Sequence, residues 1–234
     1  MEEQIVLKIG GSVLYDQDLN INFSLLQKVK DWYYRTKDMY CKRIIVVGGG
    51  YLSRELQRRV ASGISEQNDL HSIAMSITQT SAEIVKAYID DDSIFVPKKL
   101  GDAYEYLMSN ENFSVVSGGL RVGWSTDMDS AVFADIVSAE RILKLSNIDY
   151  LYDVDPNKNN NANMIKDISW NEYFNLFGIS DSDTHQANVN IPVDKECSRF
   201  CANKGISFFI CGGKNITEKN TLEDILSDGT LIHP

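Results

Sequence analysis

The sequence predicts a three-layer α/β/α sandwich around a mostly parallel central sheet. Four short apolar, β-branched runs each stop at two or more glycines, and helix-period patterns lie between them. Continuous apolar runs of this length suit central strands covered on both faces. Strands that alternate with helices imply parallel pairing in a layered domain. At 234 residues the chain is long enough for one large α/β domain or two tightly joined lobes, and it is read as a single domain over residues 1–234.

The first run, Ile5 to Ile9, stops at Gly10-Gly11, and the second, Ile44 to Val47, stops at Gly48-Gly49-Gly50. From Leu70 the apolar residues Ile73, Ala74, Ile77, Ile84, Val85 and Tyr88 recur at helical spacing, which predicts a long amphipathic helix with one buried stripe. Ser114 to Ser117 is the third run and stops at Gly118-Gly119. After Thr126, residues Met128, Val132, Ile136 and Ala139 predict a second amphipathic helix, with Ser125, Thr126 and Asp127 offering oxygens for its N-cap. Tyr150 to Asp155 alternates like a hairpin arm and leads into the polar stretch 156–163, the best candidate loop. The fourth run, Ile206 to Cys211, stops at Gly212-Gly213.

A net charge of −10 argues against nucleic acid as a partner, because that surface needs clustered Lys and Arg. No apolar run approaches the roughly 18–20 residues that cross a bilayer, and the acidic start lacks the pattern of a signal peptide. A cytoplasmic protein with no membrane partner is expected. Cys197 and Cys201 would share a helical face, but four ligands at zinc spacing are not visible, and the three histidines form no cluster.

Glycine at the end of a parallel strand lets a ligand approach backbone N–H groups, and a following helix N-terminus makes the turn an anion site. Ligands gather at the carboxyl ends of strands in open α/β sheets. Four such turns in one sheet imply a ligand with several phosphates, or two phosphorylated ligands placed head to head. Neither G-x-x-x-x-G-K-[ST] nor a post-strand G-x-G-x-x-G is present, so the turns belong to another phosphate-binding architecture.

The motifs Lys8-Ile-Gly-Gly-Ser12, Val46-Val-Gly-Gly-Gly50, Gly118-Gly followed by Gly123-Trp-Ser-Thr-Asp127, and Ser146 to Pro156 occur in the order of the amino acid kinase family. The sequence resembles that family over nearly its whole length, and within it the archaeal-type uridylate kinases, through Gly50-Tyr-Leu-Ser-Arg54 and a short closing strand, Gly229 to Pro234. The resemblance implies transfer of the γ-phosphoryl group of ATP onto UMP, with Mg2+ carried on the nucleotide phosphates. It implies an acceptor-binding lobe over about residues 1–140, an ATP-binding lobe over about 141–234, and a hexameric homo-oligomer.

Carried over residue by residue, the resemblance sets Lys8 against the transferring phosphoryl group and Asp127 as the acid that positions it. Gly11, Ser12, Gly50 and Arg54 would contact ATP phosphates, while Ser146, Asn147, Tyr152 and Asp155 would hold its adenine and ribose. Gly49, Asp69 and the segment Leu120, Arg121, Val122, Gly123, Trp124, Ser125 and Thr126 would hold the acceptor. Lys214 follows a glycine turn and could reach the leaving phosphate.

Each assignment has a plainer reading. Asp127 and Asp69 could be helix caps, Arg58 and Arg59 a solvated face, and Tyr152 and Asp155 turn residues. The acceptor side also departs from the uridylate kinase pattern. Leu120-Arg-Val-Gly123 stands where Thr-x-Pro-Gly is usual, and Gln79-Thr80-Ser81 replaces an Arg-Leu-Asn run. Two alternatives therefore stay open. One is a sibling kinase for another phosphorylated small molecule, such as isopentenyl phosphate. The other is a nucleotide-binding or storage protein without turnover.

Overall fold

In the computed structural model, which describes residues 4–154, 161–179, 191–212 and 220–234, the first apolar run becomes β1 (Gln4–Ile9). It is followed by α1 (Gly11–Leu14), α2 (Phe23–Arg35), β2 (Lys42–Val47), α3 (Gly50–Val60), α4 (Gln67–Ile89), α5 (Leu100–Ser109) and β3 (Phe113–Ser117). The second half carries α6 (Thr126–Val137), β4 (Arg141–Ser146), β5 (Leu151–Tyr152), β6 (Met164–Ile165), β7 (Asp167–Ser169), α7 (Trp170–Phe177), α8 (Lys195–Lys204), β8 (Ser207–Gly212), α9 (Leu222–Leu226) and β9 (Gly229–His233).

Seven strands form one sheet in the order β3-β2-β1-β4-β8-β9-β7. Neighbours from β3 through β8 are parallel, β8 and β9 are antiparallel, and β9 and β7 are parallel. The glycine-terminated runs are thus β1, β2, β3 and β8, all opening toward the same edge. The strand order reverses between β1 and β4, the switch point where open sheets leave a crevice.

Alternation along the strands sends residues to two cores. Val6, Ile44, Val46, Val115, Ile142, Phe208 and Ile210 pack on one face, with Ala131, Phe133 and Ala134 of α6 and Cys197 and Cys201 of α8. Leu7, Ile9, Ile45, Val47, Val116, Leu145 and Cys211 pack on the other, with Leu25, Val29 and Trp32 of α2 and Ala82 and Val85 of α4. Helices on both faces of one sheet make the three layers. Each fully buried aliphatic side chain of this kind contributes roughly 1.5–3 kcal/mol, which offsets the ordering of the chain.

Two helices differ from their sequence reading. In α4 the buried positions are Leu70, Thr78, Ser81, Ala82, Val85 and Ile89, so the stripe is part polar, while Ile73, Ala74 and Ile77 are half-buried. In α6 the buried residues are Asp127, Asp129, Ser130, Ala131, Phe133, Ala134 and Val137, while the expected Met128, Val132 and Ile136 lie half-buried on its flank. Helix α6 is inserted against β1, β2, β4 and α8 rather than laid on a surface, so its polar residues are inside as well.

Candidate active site

Lys8 lies on β1 and Lys144 on β4, and the two are direct register partners at the switch point. Both side chains therefore leave the same face of the sheet, toward the start of α6. Asp127, the second residue of α6, receives them. Its Oδ1 is 3.1 Å from the Lys8 Nζ, and its Oδ2 accepts a hydrogen bond from the Lys144 Nζ. Lys144 also donates to the Pro192 carbonyl. All three side chains are nearly removed from water, with exposures of 7% for each lysine and 12% for the carboxylate. A buried cluster of two cations and one anion is tolerable only because each charge has a partner.

Burial pushes the Lys8 ammonium below the ordinary lysine range, Asp127 opposes that, and Lys144 adds to it. For Asp127, burial works to raise the pKa, but Lys144 and Lys8 together hold it below the usual carboxylate range. The carboxylate is therefore a fixed anion at neutral pH and not a group poised to collect a proton. The cap of α6 is Ser125, whose hydroxyl accepts the Met128 N–H at 3.0 Å, so Asp127 is free of capping duty. Ser125 also donates to Asp194, the N-cap of α8, whose other oxygen accepts the Cys197 N–H.

The glycine turns after β1 and β2 meet above this cluster. A Cβ on Gly11 would stand 2.0 Å from the Gly50 nitrogen, and one on Gly50, where φ is +53°, would stand 2.0 Å from the Gly11 carbonyl carbon. Only glycine permits the approach and the left-handed angle together. Helix α3 starts at Gly50 with no side-chain cap, leaving its first N–H groups available to an anion. Arg54, one turn on, donates to the Ser12 hydroxyl at 3.0 Å across the same gap.

The result is a cleft of about 270 Å³. Ten of the residues singled out in the sequence line it: Lys8, Gly11, Ser12, Gly49, Gly50, Arg54, Thr126, Asp127, Ser146 and Asn147. Gly10 and Gly48 of the same glycine turns and Ile148 of the Ser146 to Pro156 motif continue the wall, and Lys144, Ile191 and Pro192, which were not anticipated, complete it. Lys144 is the consequential omission. It interrupts an apolar strand just as Lys8 does, which is the signal that could have found it.

The other expected residues that the structure describes do not line this cleft. Asp69 is exposed in the first turn of α4, and that helix has no side-chain cap, so the capping reading of Asp69 fails. Leu120 is buried in the core, and Arg121 and Val122 are exposed. The Arg121 guanidinium lies 4.8 Å from the centre of the half-buried Trp124 ring, and Gly123 turns with φ +89°. Tyr152 is half-buried in the small β5–β6 hairpin. Asp155 and Lys214 lie outside the described residues. Arg58 and Arg59 both pair with Glu55 on exposed α3, as a solvated face does. A second cavity of about 190 Å³ opens at the end of β8, between Asp149, Tyr150, Gly212, Asn220, Asp224, Ile225 and Asp228.

Among the described residues no group of three or more His, Cys, Asp or Glu side chains could hold a metal ion. Among the described residues the cleft has one carboxylate, Asp127, already paired with two ammonium groups. That donor set suits an anionic ligand that brings its own cation and does not suit a metal held by the protein.

The profile of the amino acid kinase family matches residues 3–212. A uridylate kinase from Pyrococcus abyssi is 28% identical over 236 aligned positions, covering 99% of this chain and 100% of the relative. One from Methanobrevibacter smithii is 29% identical over 185, covering 77% of each. The crystal structure of uridylate kinase from Archaeoglobus fulgidus superposes with a TM-score of 0.77 at 22% identity, covering 99% of this chain and all of that one. The UMP kinase of Ureaplasma parvum gives 0.75 at 19% with both chains fully covered. The last two comparisons establish the fold.

Proposed function

The chain belongs to the amino acid kinase family, and from that premise we propose that it moves the γ-phosphoryl group of ATP onto UMP, giving ADP and UDP. The observation that carries the reading is the Lys8–Asp127–Lys144 cluster beneath the joined glycine turns. An acceptor oxygen of UMP forms a bond to the γ-phosphorus, the bond to the β–γ bridging oxygen breaks, and that electron pair leaves with ADP. Charge spreads over the three equatorial oxygens during transfer. Lys8 and Lys144 present two fixed ammonium groups on one side of that position, held apart by Asp127 so that neither needs to reorganise. The Gly11 and Gly50 turns and the start of α3 offer backbone N–H groups on the other side, and Arg54 with Ser12 closes the rim.

A phosphate monoester has a second pKa near 6 and is largely dianionic at neutral pH, so the attacking oxygen needs no general base. Among the described residues Lys8, Arg54, Asp127 and Lys144 are the ionisable residues of the cleft wall, with no histidine among them, and the one carboxylate is paired with two ammonium groups. This favours a phosphorylated acceptor over an alcohol, which would have to lose a proton. Mg2+ enters as part of the substrate, on the ATP phosphates, where it shields charge and orients the chain.

The order of turns across the sheet supports a head-to-head arrangement. The acceptor turn after β3 is at one side, the β2 and β1 turns are central, and Ser146 and Asn147 after β4 and the β8 cavity are on the other. We assign adenosine to that last side, with Tyr152 and Asp155 nearby in sequence, and UMP to the side of Leu120 to Thr126 and Asp69. The acceptor lobe over about 1–140 and the ATP lobe over about 141–234 follow from this. We retain a cytoplasmic homo-oligomer, hexameric by family resemblance, to be checked by sedimentation.

The test is ADP release from Mg-ATP with UMP, CMP, dUMP and isopentenyl phosphate. UMP should give the highest kcat/KM. Turnover with isopentenyl phosphate alone would move the assignment to a sibling kinase, and ATP binding with no ADP from any acceptor would move it to a binding protein.

A further inference from the structure

Asp129 lies two residues beyond Asp127 of the cleft cluster, in the interior around α6, with 1% of its surface exposed. Its Oδ1 accepts the Leu120 N–H at 3.3 Å, while its Oδ2 is buried without a hydrogen-bond partner. That bare oxygen would be 3.6 Å from a Cβ on Gly119 and so faces the turn after β3. The same turn is pinned from α4. Gly119 N–H donates to the Thr78 hydroxyl at 2.7 Å, and the Gln79 amide donates to the Gly119 carbonyl at 3.0 Å. The turn is therefore gripped at three successive backbone groups, and only one grip comes from a group that can ionise.

The Asp129 Oδ2 shares the space beside Gly119 with the uncharged Met75 and Thr78 side chains of α4, and its Oδ1 meets the Leu120 N–H. On the other elements packed against α6, Lys8 and Lys144 are turned to Asp127, and Lys204 is turned to Asp135. We propose that Asp129 is a positioning residue for the acceptor, fixing through the Leu120 amide the segment that receives UMP, so that its charge state sets how tightly the acceptor is held. The inference rests on the acceptor side assigned above. Burial raises this carboxyl to about 7, with the Leu120 N–H as the counterweight, so the grip changes strength across neutral pH. The ionised form makes a charge-assisted hydrogen bond, and the protonated form a weaker neutral one.

The experiment measures KM for UMP, KM for ATP and kcat between pH 6 and 8 for the native enzyme and for Asp129→Asn, which keeps an acceptor oxygen and cannot ionise. Because UMP itself titrates near pH 6, the quantity read is the ratio of the two enzymes. The native KM for UMP should rise by about fivefold relative to the variant as pH falls, with the ratios for kcat and ATP flat. If Asp129→Asn fails to fold, Asp129→Ser gives the same comparison. A flat UMP ratio, or one that moves together with kcat and ATP, overturns the positioning role while leaving the kinase assignment intact. Absence of any UMP turnover in the native enzyme removes the acceptor assignment and this inference with it.

Discussion

Replacing Asp127 with asparagine takes away the charge that separates Lys8 from Lys144, and the consequence can be worked from the geometry. At 3.1 Å and an effective dielectric of about 20, the Lys8–Asp127 contact is worth about 5 kcal/mol before desolvation is charged against it, and the shorter Lys144 contact is worth more. The replacement also leaves two cations on adjacent strands in direct register. Removing one member of a buried ionic cluster costs about 3–5 kcal/mol net, which is a large share of a domain's stability. Urea denaturation at pH 7 should show that loss without nucleotide. Saturating ATP should recover much of it, because phosphate oxygens take the place of the missing carboxylate, and ligand at a hundred times its Kd adds about 2.7 kcal/mol. Turnover should fall by about 100-fold or more, since the ammonium groups lose their fixed positions. The pH dependence has a defined sign. The Asp127 pKa is depressed in the fold, so its contribution is present above the ordinary carboxylate range and is lost as pH falls through the lowered value. The gap between native and variant should therefore be level from pH 6 to 8 and close in acid. A variant within about 1 kcal/mol of native stability and fivefold of native kcat would refute the cluster as the organising feature.

Lys8→Ala should abolish most turnover while ATP binding stays measurable by calorimetry, and near-native kcat would remove this lysine from the mechanism; Lys8→Arg should also be poor, because a planar fork does not replace a compact ammonium. Gly50→Ala sets a methyl group 2.0 Å from the Gly11 backbone at a left-handed angle, so both the turn and ATP affinity should be lost, which equilibrium dialysis would register. Asp69→Asn should raise the UMP KM by roughly tenfold if the exposed carboxylate holds the ribose hydroxyls, and unchanged kinetics would dismiss that role. Asp129→Asn should gain stability over the native protein as pH rises from about 4 to about 7, by at most about 1.4 kcal/mol per pH unit, and level off above, because a raised carboxyl pKa stabilises the fold only while the proton stays on.

The strand runs, their glycine ends and the order of motifs were legible in the sequence because they are local. A continuous β-branched run wants both faces covered, and glycine after it frees the backbone for a ligand wherever the strand is placed. Lys8 was legible for a related reason, since it lies just before such a turn, and Asp127 through the family resemblance and its place at the opening of a helix. Lys144 was not, because its role depends on β1 and β4 pairing in parallel with Lys8 opposite it, across 136 residues of chain. The polar interior of α6 was hidden too. Helical periodicity assumes that a helix has one wet side, and α6 is packed by strands and helices around most of its surface, so Asp127 and Asp129 are buried where the pattern expected solvent. Asp69 and the segment after Leu120 show the opposite limit. Their types fit acceptor contacts, but side chains on exposed turns take their partners from what binds there, and the chain's own packing does not fix them. Sequence thus set the strands and the edge where ligands gather. Register between distant strands decided which charges meet there, because that meeting depends on spatial pairing.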